Sequence, residues 1–434
     1  MIKKNILFVV SDYLPNRSGG TLRVEKNIKY LKEELNCFVF CPDLKNNGKH
    51  SIIEDVEVLR TKNLDASYLY YLILNKIKIE SFSQKFRSRK PQNNTSSSKK
   101  YSRASERYLV PDVYILWVFN CFYKLYQVIK KKNIDIVYSS SPAASNHLIV
   151  LFSRVFFRNK VLWVSEFRDP WITNPFRKPK MFLLENLDRW LEKKVILTSD
   201  VIIVTSLDYK EDFRRRYGNS VSQKVYYHPN GYDNSDFSIK VDAKGGNKKI
   251  IFSAGNYYSD RSLLPFLVAF NEASKILGPN QKFEFIHYGE VDYDAKKYLD
   301  NNDIHGVQIH NAISHSKCIV EMQKSDLLLL IPGPGKGTVP GKTFEYLAVY
   351  KPIISLIDED TPVSKIIKSL NVGPIIKTTD INSIANYLVD FNDVEFEHVD
   401  KSAIDVILAK YDRKSIAKDI LRTIELNSIK ESLE

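Results

Sequence analysis

Residues 326–354 read DLLLLIPGPGKGTVPGKTFEYLAVYKPII and join an almost wholly apolar run to a glycine-rich segment. The apolar run, Asp326 to Ile331, predicts a short buried parallel strand. The glycine-rich segment then leads into a predicted helix that begins at about Gly341. A strand, a loop and a helix in this order present backbone N–H groups and the positive end of a helix to an anion. The stretch therefore predicts a phosphate site at a strand–helix junction.

One interpretation of this loop is the P-loop of ATPases, because Gly-Lys-Thr at residues 341–343 matches the end of that motif. The motif places four residues between its first glycine and the Gly-Lys pair, and the position that must be glycine is Lys336. The nearby glycines, Gly335 and Gly337, leave five and three residues instead. Because the turns around the phosphates depend on this spacing, the sequence disfavours an ATPase.

A better match is Pro340–Ala348 followed by Lys351–Ile354, which resembles the family-4 retaining glycosyltransferases of the GT-B fold. In that family a glutamate on this helix binds the ribose of the donor nucleotide, and Glu345 stands at the matching position. A carboxylate suits this role because it accepts hydrogen bonds from two neighbouring hydroxyls. Many members carry another glutamate eight positions earlier that faces the donor sugar, whereas this chain has Gly337 there. The resemblance implies a nucleotide-sugar donor and leaves the sugar open.

The donor diphosphate would be bound by basic residues near the same helix. In the family, the first strand of the second domain ends in a glycine, and a basic residue follows that reaches the diphosphate. The stretch Ile250–Asp260 resembles that strand and its loop, so Arg261 is the candidate, with Lys342 as a second cation and Gly341 at the helix N-terminus. A guanidinium can bind two phosphate oxygens, and an ammonium adds a point charge.

Near the N-terminus, Ile6–Val10 predicts a buried strand, and the pair Gly19 and Gly20 precedes a predicted helix that runs to about Leu35. No Gly-x-Gly-x-x-Gly pattern is present, which disfavours a dinucleotide cofactor. Paired glycines let the backbone approach a ligand at a helix N-terminus. In the resembled family this ligand is the donor diphosphate, contacted from the first domain.

Residues 162–171, LWVSEFRDPW, predict a strand that ends in three charges within four residues. Such charges are costly to bury without partners. In one branch of the family, similar sequences carry Arg-Asp-Pro-Trp where other members place a histidine that faces the donor sugar. The hypothesis is that Asp169 stabilises the positive charge developing on the sugar or orients the acceptor hydroxyl, while Arg168 positions it. The alternative is an Arg–Asp pair that only holds the loop.

The chain of 434 residues, with a 44% hydrophobic content, suits two α/β domains. Strand-like runs alternate with helical segments, which predicts two Rossmann-like doubly wound parallel sheets that face a central cleft. The Asn-Gly turn at residues 230–231 resembles the interdomain signature of the family. We therefore predict an N-terminal acceptor-side domain (1–228), a C-terminal nucleotide-sugar-binding domain (229–400) and C-terminal helices (401–434) that cross back toward the first domain.

The net charge of +13 is concentrated in a Ser-, Asn- and Gln-rich stretch at about 84–107, which we interpret as a mobile insertion. Basic and nearby aromatic residues predict peripheral contact with an anionic membrane, each Lys or Arg near it contributing about 1 kcal/mol. Nucleic acid would attract the same charge, but no recognition motif accompanies it. The expected acceptor is therefore membrane-associated and lipid-linked, and no nucleic-acid partner is expected.

The remaining signals point to a reduced chain without a metal. The cysteines have no zinc-ligand spacing, and no run of 18 apolar residues occurs, so we expect a cytoplasmic protein peripheral on the inner face of the plasma membrane. Two Asp-x-Asp patterns, at 292–294 and 358–360, are interpreted as polar turns. Neither a metal nor another cofactor is expected. The four cysteines are Cys37, Cys41, Cys121 and Cys318.

Together these patterns predict a glycosyltransferase that moves a sugar to a saccharide or lipid-linked acceptor in surface polysaccharide or glycoconjugate assembly. The family resemblance implies retention of anomeric configuration, with the donor phosphate assisting the incoming hydroxyl. Two alternatives stay open: a GT-B sugar-nucleotide epimerase or hydrolase, and a non-catalytic membrane-binding or nucleic-acid-binding protein on a decayed transferase scaffold. The departure at Gly337 is what keeps the second alternative open.

Overall fold

The computed structural model divides into two compact units: unit 1 contains residues 1–228 and 417–434, and unit 2 contains residues 229–416. Nearly all of the predicted basic insertion at 84–107 and the departure at Gly337 lie outside the described residues. The described residues are 3–15, 19–44, 50–63, 107–157, 161–174, 177–238, 241, 248–258, 261–333, 339–357, 360–393 and 399–431.

Unit 1 is built on an eight-stranded sheet flanked by helices. Its strands are β1 (Asn5–Val9), β2 (Asn36–Asp43), β3 (His50–Ile53), β4 (Val56–Lys62), β5 (Ile136–Ser141), β6 (Leu162–Phe167), β7 (Val201–Val204) and β8 (Val225–Tyr227). They lie in the order β3-β4-β2-β1-β5-β6-β7-β8, and every pair is parallel except β3 with β4. The helices are α1 (Gly19–Leu31), α2 (Ile115–Lys131), α3 (Ser145–Phe157), α4 (Phe182–Thr198), α5 (Leu207–Tyr217) and α6 (Asn219–Ser222).

Unit 2 is built on a six-stranded, fully parallel sheet. Its strands are β9 (Lys249–Ala254), β10 (Phe283–Tyr288), β11 (Val307–His310), β12 (Leu327–Leu330), β13 (Ile353–Leu356) and β14 (Ile375–Ile376), in the order β11-β10-β9-β12-β13-β14. Its helices are α7 (Leu264–Leu277), α8 (Tyr293–Asn301), α9 (His315–Lys324), α10 (Gly341–Ala348), α11 (Pro362–Leu370), α12 (Ile381–Asp393) and α13 (Lys401–Tyr411).

The central strands are apolar because both faces of each sheet are covered by helices. In unit 1, Leu7, Val137 and Trp163 contribute to one buried cluster under the helices. In unit 2, Ile251 and Leu329 belong to a comparable cluster. The prediction of two doubly wound parallel sheets is confirmed.

Strand order reverses once in each sheet, and these positions determine where a ligand can bind. In unit 1 the chain leaves β1 toward β2 on one side and returns to β5 on the other. In unit 2 the corresponding neighbours are β9 and β12. Loops that leave the carboxyl ends of such strands diverge and leave a crevice, which is where open α/β sheets bind ligands.

The last helix, α14 (Arg413–Glu431), carries the chain back to unit 1. Its residues from Ala417 onward belong to unit 1, whereas α13 belongs to unit 2, so only part of the segment predicted at 401–434 lies with the first unit. His228 Nε2 lies 3.1 Å from Thr423 Oγ1, and Asn427 Nδ2 donates to the Tyr226 hydroxyl at 3.1 Å. These contacts join α14 to β8 and the residue that follows it.

None of the described helices combines the length and the apolar character that crossing a membrane requires.

Unit 1 should lose stability as the pH falls from 7 to 5, because burial lowers the pKa of His228 to about 4. The folded chain keeps this imidazole neutral, whereas the unfolded chain binds a proton near pH 6.5. This residue should therefore remove up to about 2 kcal/mol of unfolding free energy at pH 5. Urea unfolding followed by tryptophan fluorescence measures this, since all four tryptophans lie in unit 1.

The control for that prediction is His228→Gln, which replaces the imidazole by a side chain that does not titrate. This variant should lose less stability than the wild type between pH 7 and pH 5. Equal pH dependence in the two proteins would show that His228 is not the group responsible.

Candidate functional site

Two basic side chains connect the loops after β9 and β12. These strands flank the position at which the strand order of the unit 2 sheet reverses, which we call its switch point. Arg261 follows β9, and its Nε donates to the carbonyl oxygen of Ile331, just after β12, at 2.6 Å. Lys342 follows β12, and its Nζ donates to the carbonyl oxygen of Ala254, the last residue of β9. The two hydrogen bonds run in opposite directions across one crevice. Both predicted diphosphate-binding cations are therefore held at the carboxyl ends of the strands.

The Arg261 guanidinium is fixed at one edge and one face. Its Nε is used by the Ile331 carbonyl, and its central carbon lies 5.7 Å from the centroid of the Tyr257 ring. Gly333 has φ +86°, and a Cβ at this position would lie 3.5 Å from the aliphatic stem of Arg261. The two terminal nitrogens form no hydrogen bond within the described residues. A guanidinium held in this way can donate both of these groups to an anion.

Glycines permit the Lys342 ammonium to approach the end of β9 and permit α10 to approach the backbone of Gly231. Gly255 has φ +113°, and a Cβ at this position would overlap with the Lys342 ammonium. Gly341 is the first residue of α10, and its Cα faces the carbonyl oxygen of Gly231, which would lie 3.3 Å from a Cβ there. Pro340 precedes it without a side-chain cap, so the first N–H groups of the helix remain directed to the loop. Burial lowers the pKa of Lys342.

Glu345 lies one turn further along α10 and is buried. Its Oε1 lies 2.9 Å from His315 Nε2, and the other ring nitrogen of His315 lies 3.7 Å from an Asp236 carboxylate oxygen. Burial alone would raise the pKa of Glu345, but the His315 hydrogen bond and the nearby charges of His315 and Lys342 lower it. Glu345 is therefore ionised and accepts hydrogen bonds. Sequence analysis missed His315, since nothing in the spacing of the two residues links α9 to α10.

Unit 1 contains a pocket of about 560 Å³ at the carboxyl ends of β1, β5 and β6. It brings together residues from two predicted motifs, since Gly20 of α1 and the pair Arg168 and Asp169 after β6 all line it. Gly19 is the first residue of α1 and immediately precedes Gly20. The pocket lies at the switch point of the unit 1 sheet, where such folds bind ligands.

Arg168 is held against the pocket wall by backbone carbonyls. Its Nε donates to the carbonyl oxygen of Ser141 at 2.6 Å, and one Nη donates to that of Pro142 at 3.1 Å. The Thr205 hydroxyl donates to the Arg168 carbonyl oxygen at 2.6 Å. A Cβ at Gly20 would lie 2.5 Å from a terminal nitrogen of Arg168, so only glycine leaves room for this guanidinium.

Asp169 lines the pocket and is exposed there. Desolvation by the surrounding protein raises the pKa of Asp169, and the neighbouring Arg168 charge opposes the change only in part. Asp169 forms no side-chain hydrogen bond within the described residues. The loop is held by the carbonyl contacts of Arg168, which leaves the Asp169 carboxyl group available for chemistry.

Beneath Arg168 lies a buried ion pair that sequence analysis did not identify. Arg23 Nε of α1 lies 2.8 Å from Glu166 Oε1 of β6, and both side chains are almost completely buried. Ser140 donates to the second Glu166 oxygen at 2.6 Å, and Arg23 also donates to the carbonyl oxygen of His228 at 3.0 Å. Burial would raise the pKa of Glu166, but the charges of Arg23 and Arg168 lower it to about 2.

The first Asp-x-Asp pattern forms a helix cap. Asp292 precedes α8 and accepts hydrogen bonds from the Ser262 hydroxyl at 2.8 Å, from Leu263 N at 2.9 Å and from Ala295 N at 3.2 Å. The second pattern, at 358–360, lies mostly outside the described residues. In the part of the chain that the structure describes, no cluster of His, Cys, Asp and Glu could hold a metal ion. The expectation that no metal is required stays a prediction.

Residues 85–236 match the family described as Glycosyltransferase Family 4. No curated protein sequence matches the chain. Many solved structures resemble it over nearly its whole length, and their likeness identifies the two units as a GT-B fold.

Three of these structures illustrate the likeness. The sucrose-phosphate synthase from Thermosynechococcus elongatus has a TM-score of 0.60 and 13% identity, over 98% of this chain and 99% of that one. The α,α-trehalose 6-phosphate synthase from Burkholderia multivorans has a TM-score of 0.64 and 10% identity, over 100% and 98%. The Anabaena protein HepE in complex with UDP-glucose has a TM-score of 0.60 and 12% identity, over 97% and 99%. At these identities the likeness shows the fold alone.

Removing the charge of Glu166 should strongly destabilise unit 1. In Glu166→Gln the buried Arg23 guanidinium loses its ionic partner, so the unfolding free energy should fall by about 3 kcal/mol or more. Urea unfolding followed by tryptophan fluorescence measures the change. Asp55→Asn is the matched control, because it removes an exposed partner 3.7 Å from Lys32 and should change stability by less than about 1 kcal/mol. Similar losses in the two variants would contradict the importance of the buried pair.

Proposed function

We propose that this chain is a glycosyltransferase that moves a sugar from a nucleotide-sugar donor to a saccharide or lipid-linked acceptor, with retention of anomeric configuration. The observation that carries the proposal is the unit 2 crevice, where Arg261 and Lys342 meet at the switch point beside the ionised Glu345. The match of residues 85–236 to Glycosyltransferase Family 4 supports it. So do the neighbouring structures solved with UDP-glucose and UDP-2-fluoro glucose.

The donor diphosphate would bind to the cations of unit 2. Lys342 has three N–H donors and uses one of them on the Ala254 carbonyl, so the other two can reach phosphate oxygens. Arg261 offers its two terminal nitrogens, and α10 offers its first N–H groups from Gly341 onward. Two cations and a helix N-terminus balance the two negative charges on the diphosphate of a nucleotide sugar. The proposal therefore includes no metal and no other cofactor.

Glu345 would bind the ribose of the donor nucleotide. His315 holds one carboxylate oxygen at 2.9 Å and thereby fixes the orientation of the group. The second oxygen keeps its lone pairs for hydroxyl donors, and ionised acceptors make the stronger hydrogen bonds. The base and the sugar are to be identified by experiment.

The transfer step would use the acceptor side of unit 1. The acceptor oxygen forms a bond to the anomeric carbon while the bond from that carbon to the donor phosphate oxygen breaks. The proton of the acceptor hydroxyl passes to the departing phosphate on the same face, so no protein nucleophile is consumed. Arg261 and Lys342 would stabilise the charge on the leaving group, and Asp169, positioned by Arg168, would orient the acceptor hydroxyl or stabilise charge on the sugar.

The proposed setting is surface polysaccharide or glycoconjugate assembly in the cytoplasm, at the inner face of the plasma membrane. The proposed partners are the nucleotide sugar, the acceptor and an anionic membrane surface, and nucleic acid is not among them. The basic sequence at 84–107 supports the membrane contact through its charge.

A thermal-melt screen against UDP-, GDP-, dTDP-, ADP- and CMP-sugars, with ATP as a competing ligand, tests the donor site. One nucleotide sugar at a hundred times its dissociation constant should add about 2.7 kcal/mol to the unfolding free energy. Glu345→Gln should lower the affinity for this ligand by roughly tenfold or more, because charge-assisted hydrogen bonds to the ribose are lost. Glu272→Gln is the matched control, since it changes an exposed glutamate of α7 and should respond like the wild type.

The other outcomes of the screen are equally informative. Stabilisation by ATP alone would support the P-loop interpretation of residues 341–343. No stabilisation by any nucleotide sugar would contradict the proposed donor site and favour a decayed scaffold. Conversion of the stabilising nucleotide sugar without any acceptor would identify an epimerase or a hydrolase.

Asp169→Asn should reduce turnover by roughly a hundredfold or more while the melting temperature stays close to that of the wild type. The substitution keeps the shape of the side chain and removes its ability to carry charge. Turnover is measured as release of the nucleoside diphosphate with the donor chosen by the screen and a preparation of membrane glycolipid as acceptor. Asp55→Asn is the matched control and should leave turnover unchanged. Undiminished turnover in Asp169→Asn would remove Asp169 from the mechanism.

A further inference from the structure

Helix α4 of unit 1 buries two acidic residues beside apolar core residues and leaves a second set of apolar residues exposed. Asp188 and Glu192 are completely buried. Phe182, Leu183 and Trp190 are 77%, 78% and 53% exposed. A surface helix of a globular protein normally places its apolar stripe toward the core. This arrangement therefore requires a physical reason and suggests a partner for the exposed side.

The buried acids of α4 are fixed by hydrogen bonds and ion pairs. Asp188 accepts from Trp171 Nε1 at 2.8 Å and from Lys180 Nζ at 2.6 Å. Glu192 accepts from the Tyr217 hydroxyl at 2.5 Å and is paired with Arg216. Rotation of the helix would separate the acids from Lys180 and Arg216, which would leave these cations without ionic partners, and it would expose the apolar residues that are buried beside the acids. The inward face is thus determined by the paired acids together with those apolar residues, and the other apolar side chains are left outside.

The exposed apolar surface continues onto the two neighbouring helices. Helix α3 packs against both α2 and α4, so the outer sides of the three helices form one layer. Phe119 and Tyr123 are exposed on α2, and Val155 and Phe156 are exposed on α3. The Tyr123 and Phe156 rings lie 5.6 Å apart in an edge-to-face arrangement. We name the outer side of α2, α3 and α4 the aromatic face.

The charge on the aromatic face has one sign. Within these three fully described helices, the acidic residues are Glu185, Asp188 and Glu192; the last two are completely buried, Glu185 is partly buried, and each is paired with a basic side chain. Lys194 Nζ lies 5.5 Å from the centroid of the exposed Trp190 ring, which places a cation among the aromatic groups. The exposed basic residues are Lys124, Lys130, Lys131, Arg189, Lys193 and Lys194.

We propose that the aromatic face docks on the surface of an anionic lipid bilayer. Trp, Tyr and Phe side chains enter the boundary between headgroups and acyl chains, and lysines reach the lipid phosphates on their flexible stems. The absence of exposed acids on these helices removes the repulsion that anionic lipid would otherwise meet. A protein partner fits less well, because the cores of protein interfaces are depleted of lysine.

This inference deepens the membrane part of the proposed function by assigning it to a surface separate from the basic stretch at 84–107. The same helix also reaches the unit 1 pocket, since Asp188 holds Arg177 and Lys180, which both line that pocket. Docking through α4 would therefore bring the pocket wall close to the lipid surface. A lipid-linked acceptor could then enter the pocket without leaving the membrane completely.

Vesicle flotation of the full chain tests this inference. The vesicles contain either phosphatidylcholine alone or an equal mixture of phosphatidylcholine and phosphatidylglycerol. The wild type should float with the mixed vesicles and bind less as salt is raised. The variant Phe182→Ser/Leu183→Ser/Trp190→Ser and the variant Lys193→Glu/Lys194→Glu should each lower the partition coefficient by roughly tenfold or more.

Matched controls come from unit 2, where similar residues are exposed and do not belong to the aromatic face. Ile276→Ser/Tyr293→Ser controls for apolar residues, and Lys296→Glu/Lys297→Glu controls for charge, and both should float like the wild type. Failure of the wild type to float, or equal flotation of all variants, would overturn the inference. A wild-type dimer by light scattering that becomes a monomer in the Phe182 variant, with flotation unchanged, would show instead that the face binds a second copy.

The donor-induced melting shift is measured on the same proteins to separate the two proposals. If the proteins float as expected but no nucleotide sugar shifts any melting temperature, the proposed function is contradicted and the docking of the aromatic face on lipid is still supported. If a nucleotide sugar shifts the melting temperature but the wild type does not float, only the docking of the aromatic face is overturned.

Discussion

The buried ion pair between Arg23 and Glu166 is the constraint on which the rest of unit 1 depends. It joins α1 to β6 at the depth where the strands end, and the Glu166 carboxylate also lies close to Arg168. One carboxylate thus serves two guanidinium groups, so the floor of the pocket keeps a net positive charge next to Asp169. Such a cluster is stable only when each remaining donor and acceptor is satisfied, which the Ser140 hydroxyl and nearby carbonyls achieve.

The two cations of unit 2 are bound differently from those of unit 1. Arg261 and Lys342 are bound to backbone carbonyls and have no ion pair within the described residues, so their charges are not neutralised. Burying an ammonium in this way is unfavourable, and burial accordingly lowers the pKa of Lys342. An incoming diphosphate would supply the missing negative charge and raise that pKa again. The crevice therefore holds positive charge without an ionic partner among the described residues, at some cost to the protein, and this supports the proposed diphosphate site.

The features of the fold and of the sites that could be predicted are those marked by a pattern within one short stretch of sequence. Apolar runs predicted β1 and β12, and the resemblance of short motifs pointed to Arg261 and Glu345. The pairs that organise the sites were missed because they join distant positions: Arg23 and Glu166 are 143 residues apart, and His315 and Glu345 are 30 apart. The exposure of Phe182 and Trp190 on α4 was also beyond the sequence, because apolar residues at helical spacing are normally typical of a buried face.

The orientation of α4 follows from the residues that are buried together on its inward face. Turning Phe182 and Trp190 inward would bury apolar surface at about 25 cal/mol for each Å², but it would expose the apolar residues that now lie beside the acids, so the two changes oppose each other. It would also separate Asp188 from Lys180 and Glu192 from Arg216, and each buried unpaired charge costs several kcal/mol. The ion pairs and the buried apolar residues therefore favour the same orientation, and the structure keeps a second apolar surface in contact with water. A partner that covers this surface recovers the unused apolar energy without disturbing the network, which is why the same helix can hold a pocket wall on one side and a lipid surface on the other.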